Sequence, residues 1–189
     1  MAIETPFAIH GEYVSSKAVD QCLEFFNNNK SLHVKGQIGK KGNIDKTRKD
    51  CTELPIDLNK LNVIEIWVKE LASIVNNYVK KFPILGNYAQ WGFVDGVNIQ
   101  NYKPGEGYFK LHSERMTMTN SNRVIAFMTY LTDTPNAGTH FEYHNWSAPC
   151  EKGLTLLWPT DYAYAHKGDI SNTKDKTIIT GWFGFRDDN

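Results

Sequence analysis

The segment YFKLHSER, Tyr108 to Arg115, sets an imidazole and a carboxylate two residues apart, at His112 and Glu114. On an extended strand, residues i and i+2 project to the same side. A third donor, His166, follows in AYAHKG, just before a glycine turn. Two imidazoles and one carboxylate on one face are the ligand set of non-haem Fe(II) oxygenases, which keep coordination positions open for substrate and oxygen. THFEYH offers the same donors at His140, Glu142 and His144. Its opposite face carries Thr139, Phe141 and Tyr143. That aromatic face is the better candidate for an interior, which turns the three donors outward. His112 and Glu114 share a side with Tyr108 and Lys110, so apolarity does not decide that strand. Types and spacing favour the first group and leave the second open. A lone His-x-Glu is also satisfied by a surface strand with one weak ion pair. His10 and His33 are read as lacking an acidic or histidine partner in strand register, hence as ordinary surface or structural residues.

These donors need elements to position them. SSKAVDQCLEFFNNNK reads as a helix capped by Ser15 or Ser16, with Val19, Cys22, Leu23 and Phe26 at helical spacing. LNVIEIWVKELASIVNNYVKKF predicts a longer helix, stopped by Pro83. Ile64, Val68, Leu71, Val75 and Tyr78 form its buried stripe, with the Tyr78 hydroxyl near solvent. From about Trp91 the pattern changes to period two. VNIQNY, YFKLHSE, VIAFMTYLT, THFEYH, GLTLLWP, YAYAHKG and KTIITGWFGF are strand candidates. Turn signals separate them at Pro104-Gly105, Asn120 to Asn122, Pro135 to Gly138, Lys152-Gly153 and Lys167 to Asp169. Two helices followed by many short strands predict an α+β, mainly β fold, a sandwich or jelly roll buttressed by N-terminal helices. GQIGKKGNIDKTRKDCTELP, Gly36 to Pro55, is a long polar loop and a candidate cover for a site.

The chain is read as one domain over 1–189, with helical support to about residue 90 and a β-core over about 91–186. It carries 21 Lys+Arg against 21 Asp+Glu, so it lacks the electrostatic footprint of a nucleic-acid or anionic-membrane binder. Lys40, Lys41, Lys46, Arg48 and Lys49 read as a solvated loop. No secretory signal or membrane span is read, and a cytoplasmic setting is expected. Cys22, Cys51 and Cys150 are widely spaced, with no CxxC, which argues against a disulfide framework.

The string YKPGEGYFKLHSE…RVIAFMTYLTD…AGTHFEY…KGLTLLWP…AHKGD…KTIITGWF resembles the Fe(II)- and 2-oxoglutarate-dependent oxygenases of the prolyl 4-hydroxylase type. IDKTRKDCTELP resembles the arginine-containing loop that precedes the catalytic strands in that group. The resemblance implies a double-stranded β-helix, a jelly roll with supporting helices. It implies His112, Glu114 and His166 as iron ligands, which gives the shared strand face a purpose. It implies Lys176, ten positions beyond His166 (176 − 166 = 10), as the partner of the far carboxylate of 2-oxoglutarate. Read on its own, a lysine in register with Ile178 on a barrel strand is costly unless paired, the alternative being a snorkelling surface lysine. By the same resemblance Tyr102, Thr139 and Trp182 line the co-substrate pocket, and Arg48 reaches the substrate from the loop. Arg123 stays open between substrate contact and structural pairing.

Two departures bear on proline specificity. Glu114 stands where Asp is commoner, and its extra methylene implies a looser metal geometry or a backbone set further away. Tyr108 to His112 is one residue longer than the prolyl hydroxylase spacing. The implied activity is hydroxylation of an amino-acid residue such as peptidyl proline, or of a small metabolite. It would use Fe(II), 2-oxoglutarate and O2, with ascorbate as reductant. The alternatives are a non-catalytic jelly-roll binding module and a metal-dependent hydrolase or isomerase of similar fold.

Overall fold

Long strands with strict alternation build the frame. In the computed structural model, which describes residues 2–38 and 42–186, β5 (Trp91–Tyr102), β7 (Arg123–Tyr130), β10 (Leu154–Pro159) and β12 (Lys176–Phe185) pair antiparallel. With β1 (His10–Tyr13), β2 (Val34–Lys35) and β4 (Thr52–Ile56) they form a seven-stranded sheet in the order β1-β10-β7-β12-β5-β4-β2. A three-stranded sheet, β11 (His166–Gly168), β8 (Thr139–Phe141) and β9 (Trp146–Ala148), completes the jelly roll. β3 (Lys49–Asp50) and β6 (Gly107–Tyr108) form a separate two-stranded ribbon. This is the jelly roll that the strand pattern predicts, in the double-stranded β-helix form that the resemblance implies.

The two faces of the large sheet bury different things. Val97, Ile99, Ile125, Phe127, Ile179 and Phe183 pack on α1 (Ser16–Asn28) and α2 (Glu65–Lys81). Ala126, Met128, Tyr130, Leu156, Trp158 and Ile178 point the other way, into the roll, where Phe141 and Ala148 meet them. Period two along each strand is therefore what separates a helix-facing core from a cavity-facing one.

α1 follows its prediction, with the Ser15 hydroxyl accepting from the Ala18 amide at 3.2 Å. α2 starts at Glu65, because Leu58–Ile64 winds as a 3-10 helix. Its buried stripe is Trp67, Leu71, Ile74 and Tyr78, with Val68 and Val75 half-buried at its margins. The Tyr78 hydroxyl is buried rather than near solvent, and donates to Ala8 O at 2.8 Å. The first ninety residues supply four strands as well as helices. Among them is β1, where His10 is buried and bonds Glu12 at 2.7 Å, against the reading that it lacks an acidic partner.

Three strand predictions shorten. YFKLHSE is a strand only at Gly107–Tyr108, and His112 joins the sheets through a single bridge to His166. THFEYH leaves the strand after Phe141, and Asn145 (φ 45°) closes the 3-10 turn Glu142–His144. Tyr143 is therefore exposed, not interior. In YAYAHKG, the Asp161 side chain caps the 3-10 turn Tyr162–Tyr164, so the strand starts at His166.

The polar loop is also more ordered in its pairing than a bare connector. Lys49 and Asp50 pair with Tyr108 and Gly107, and Thr52–Ile56 pair with β5. Lys49 is not solvated: it is 6% exposed and ion-paired with Glu53. Gly39, Lys40 and Lys41 lie outside the described residues. All three cysteines are free and buried. Among the described residues no helix is long and apolar enough to cross a membrane.

Candidate active site

β11 lays His166 across from His112. They exchange backbone hydrogen bonds, His112 N–H to His166 O at 3.0 Å and His166 N–H to His112 O at 2.9 Å. Two residues on, the Glu114 and Arg115 amides donate to Thr160 O at 3.1 and 3.0 Å. With the backbone fixed on both sides, the Glu114 carboxylate turns back toward both rings. Its Oε1 lies 3.2 Å from His166 Nε2 and 3.8 Å from His112 Nε2. The sequence-derived reason for convergence, a shared strand face, is replaced by a bridge and a turn.

Each imidazole has its Nδ1 against a main-chain carbonyl, Lys110 O at 3.0 Å for His112 and Tyr164 O at 2.9 Å for His166. A proton on Nδ1 satisfies that bond and leaves the Nε2 lone pair facing the carboxylate. Among the described residues, His112, Glu114 and His166 are the group whose ligand atoms all lie within 4.8 Å of one another. Burial, then neighbouring His166, hold the His112 imidazole down at about 4. Burial alone would raise the Glu114 carboxyl, but His166, His112 and Trp182 more than offset it and hold it at about 2. A neutral imidazole beside an ionised carboxylate is the protonation state a divalent cation requires. Tyr108 stacks on His112 at 4.0 Å, and Trp158 stands edge-on to His166 at 5.0 Å.

The second oxygen of Glu114 is engaged elsewhere. Trp182 Nε1 donates to Oε2 at 2.8 Å. The Arg123 guanidinium lies 3.5 Å from the Trp182 ring centre, donates to Glu114 O at 3.1 Å and pairs with Asp95 at 2.9 Å. Of the two roles left open for Arg123, the structure has the pairing. Trp182 faces the carboxylate rather than Lys176.

Lys176 sits on β12 opposite Tyr102 of β5. It is 6% exposed. Its hydrogen bonds within the described residues go to carbonyl oxygens, Gly138 O at 3.0 Å and Asp169 O at 3.4 Å. Burial pushes the ammonium down to about 8. The Tyr130 hydroxyl donates to Thr139 Oγ1 at 2.7 Å, and the Tyr102 hydroxyl to Gln100 Oε1 at 2.6 Å. A Cβ on Gly168 would stand 3.2 Å from Lys176 Nζ, so glycine keeps an approach to the ammonium open. A buried cation with no carboxylate against it, and an uncrowded approach, fit a dicarboxylate co-substrate.

One cavity of about 840 Å³ joins the two ends. His112, Glu114, His166, Lys176, Tyr102, Thr139, Trp182, Arg48 and Arg123 all line it. A smaller cleft of about 590 Å³ around Asp133, Pro149 and Glu151 contains none of them. His140, Glu142 and His144 do not converge as a triad: His140 Nε2 lies 3.6 Å from Glu142 Oε2, but His144 stays apart. His140 bonds Ser147 at 2.9 Å, and His144 stacks on Tyr164 at 4.9 Å. Sequence reasoning passed over Tyr130, Trp158 and Asn98, which line or support the cavity. Parity was the available signal: Tyr130 alternates with Met128, and Asn98 with Gln100 and Tyr102. Asn98 Oδ1 and Arg48 Nε are buried there without a hydrogen-bond partner.

Residues 97–184 match the family model described as the 2OG-Fe(II) oxygenase superfamily. Curated protein sequences give no match. Among solved structures, the viral collagen prolyl hydroxylase of Paramecium bursaria Chlorella virus-1, in its 2OG complex, superposes with a TM-score of 0.68 at 17% identity. The match covers 94% of this chain and 96% of that one. A Pseudomonas putida prolyl-4-hydroxylase gives 0.71 at 13% identity, covering 94% and 93%. A Trichoplax adhaerens prolyl hydroxylase, bound to a hypoxia inducible factor oxygen degradation domain peptide fragment, gives 0.68 at 16% identity, covering 95% and 84%. At these identities the solved structures carry the fold, and the family model carries the chemistry. Residues 97–184 are thus similar to the 2OG-Fe(II) oxygenase superfamily, which supports a 2-oxoglutarate-dependent dioxygenase, and the chain as a whole has the build of the prolyl hydroxylases.

Proposed function

We propose that this dioxygenase hydroxylates an amino-acid side chain presented within a peptide, with a prolyl residue as the first candidate. In this reading His112 Nε2, Glu114 Oε1 and His166 Nε2 hold Fe(II), and Lys176 binds the far carboxylate of 2-oxoglutarate. The observation that carries it is the buried Lys176 ammonium, with only carbonyl oxygens as partners, in the same cavity as the His112, Glu114 and His166 group. Bound iron and 2-oxoglutarate supply the chemistry that puts one atom of O2 into a substrate C–H bond while the co-substrate becomes succinate and CO2.

The chain's own part is orientation and shelter. Nδ1 bonds to Lys110 O and Tyr164 O fix both imidazole planes. Trp158 and Phe141 pack around His166 and keep water from that side. Thr139, oriented by Tyr130, offers its remaining lone pair and hydroxyl proton beside Lys176. In the same cavity, Arg48 Nε is a buried unused donor and Asn98 Oδ1 a buried unused acceptor. A peptide backbone brings a carbonyl and an amide to match them. A pure binding module has no need of a desolvated lysine beside an empty-handed carboxylate site, so turnover is the better reading.

Succinate release with Fe(II), ascorbate and 2-oxoglutarate tests this. Proline-containing peptides should raise succinate formation above the substrate-free rate and gain one oxygen by mass. Free amino acids that stimulate turnover while every peptide leaves it at the basal rate would sink the peptide reading.

A further inference from the structure

Glutamate is a loose way to hold a metal. It has one more rotatable bond than aspartate, and a carboxylate that swings freely chelates through both oxygens. Resting on the metal assignment proposed above, two imidazoles and one carboxylate oxygen leave three of six positions open. A bound keto acid would use two of them, leaving one for O2. A Glu114 that gripped through both oxygens would fill the last one. This chain therefore needs something that keeps Glu114 Oε2 away from the metal.

We infer that Trp182, set in place by Arg123 and Asp95, is the positioning residue that makes Glu114 a one-oxygen ligand. Four observations converge. Oε2 is occupied by the Trp182 N–H at 2.8 Å, while Oε1 faces His166 Nε2 at 3.2 Å and His112 Nε2 at 3.8 Å. The indole cannot turn, because the Arg123 guanidinium lies 3.5 Å from its ring centre. The guanidinium cannot turn either: Nε and Nη2 both reach Asp95 Oδ2 at 2.9 Å, and Nη1 bonds Glu114 O at 3.1 Å. Asp95 in turn projects from a bulge in β5, where Asp95 (φ 62°) and Gly96 (φ 82°) are left-handed. The β5–β12 register slips there, between Gly181 and Trp182. The bulge thus lies beside Trp182 itself and aims the carboxylate at Arg123. Asp95 has a second effect. Arg123 Nη1 stands 3.8 Å from Glu114 Oε2, and without Asp95 the fork would be free to take Glu114 as a bidentate partner, away from the metal. The extra methylene of Glu114 is what lets its outer oxygen reach the indole.

Mn(II) titration followed by electron paramagnetic resonance, without co-substrate, tests the inference on the parent, Trp182→Phe, Glu114→Asp and the double variant. Trp182→Phe keeps the ring under Arg123 and removes only the donor. We expect it to change the Mn(II) spectrum as Oε2 is released, and to weaken binding about 10- to 100-fold, because the unheld carboxylate must be ordered by the metal and Arg123 Nη1, 3.8 Å from Oε2, competes for it, with the melting temperature unchanged. In the Glu114→Asp background the same change should alter affinity less than about twofold, because the shorter carboxylate does not reach the indole. Equal affinity in parent and Trp182→Phe overturns the inference, as does an equal loss in both backgrounds, which would mark Trp182 as merely structural. If Trp182→Phe melts early, Asp95→Asn, which leaves the indole in place, should weaken Mn(II) binding by the same mechanism, and unchanged affinity there overturns it. A parent that binds no Mn(II) overturns the metal assignment as well; a parent that binds beside a variant that binds equally overturns this inference alone.

Discussion

Residues 112–114 and 140–142 carry the same pattern, His-x-Glu, and end in opposite roles. His112 meets His166 across an isolated bridge, and both rings have Nδ1 on a main-chain carbonyl, so their Nε2 atoms face Glu114. His140 meets Ser147 instead, at 2.9 Å. Its Nε2 lies 3.6 Å from Glu142 Oε2, but the chain leaves the strand after Phe141, and His144 stacks on Tyr164 instead of completing the group. The inward face of the same strand supplies Thr139 to the cavity and Phe141 to the core packed beside it. Spacing along the chain is therefore not the signal. What decides the chemistry is which residue arrives from across the sheet, and which ring nitrogen the backbone has already engaged.

The largest test of that contrast removes one donor from each group. Glu114→Ala or His166→Ala should lower Fe(II) or Mn(II) affinity by at least about 1,000-fold, past the 10- to 100-fold typical of an outer partner. His140→Ala and His144→Ala should leave it within about twofold: His140 shares no side-chain partner with the first group, and His144 meets Tyr164 through its ring while His166 uses only the Tyr164 carbonyl. Calorimetric metal titration of all four reads the result. Strong loss in the second pair would reverse the comparison.

Lys176 sharpens it next, because its ammonium bonds Gly138 O, one residue before the inward-facing Thr139. Lys176→Met should weaken 2-oxoglutarate by about 2–3 kcal/mol, roughly 30- to 150-fold, and spare metal binding. The same variant should be more stable without ligand. The folded ammonium titrates at about 8 against an ordinary 10.5. Below pH 8 both folded and unfolded chains are protonated, and the cost of the buried charge is present in full. From pH 8 to 10.5 the unfolded chain binds more protons, so parent stability climbs with pH relative to the variant. At pH 7 the variant's gain should be about 1–3 kcal/mol, or several degrees in melting temperature. Co-substrate affinity of the parent should fall above pH 8. Flat affinity from pH 7 to 9.5 would remove Lys176 from the carboxylate site.

Arg48 tests the other end of the first segment. Its carbonyl accepts from the Phe109 amide at 2.9 Å, and β3 pairs with β6, so the loop is tied to the strand that leads into His112. Arg48→Ala should raise the KM for the peptide by about tenfold, the worth of one charged hydrogen bond. Substrate-free succinate formation should be unchanged. An unaltered KM would move specificity to Asn98.

The sequence carried much of this. Alternation in VIAFMTYLT and KTIITGWFGF was enough to place the helix-facing and cavity-facing sides of β7 and β12. All nine residues read as a site line one cavity. What it did not carry depends on contacts between distant segments. The bend after Tyr108 and the turn after Phe141 have no strong local breaker, so period two ran on past them. That Trp182 bonds Glu114 was not legible, because the two lie 68 residues apart in sequence. Lys49 looked solvated because Glu53 reads as one more charge in a polar loop, and only the pairings of β3 with β6 and of β4 with β5 bring the two together inside.

A third His-x-Glu, missed altogether, completes the contrast at the smallest scale. His10 and Glu12 sit on β1, an edge strand that pairs with β10. Their side chains bond at 2.7 Å, closer than the carboxylate pairs of His112, Glu114 and His166. Yet no second imidazole arrives. Glu12 accepts instead from Asn77 Nδ2 of α2, at 3.2 and 3.3 Å, and the His10 ring rests 5.9 Å from Tyr78. The pair therefore fastens the edge strand to the helix layer, and its effect belongs to stability alone. Glu12→Gln keeps the shape and weakens a charged acceptor, so it should cost about 1 kcal/mol, or roughly 2–4 °C in melting temperature. Mn(II) affinity, 2-oxoglutarate affinity and kcat should match the parent. A thermal melt beside a metal titration separates the outcomes. A variant that melts normally but binds metal poorly would mean that β1 communicates with the metal group, and that the rule drawn from the first two segments is incomplete.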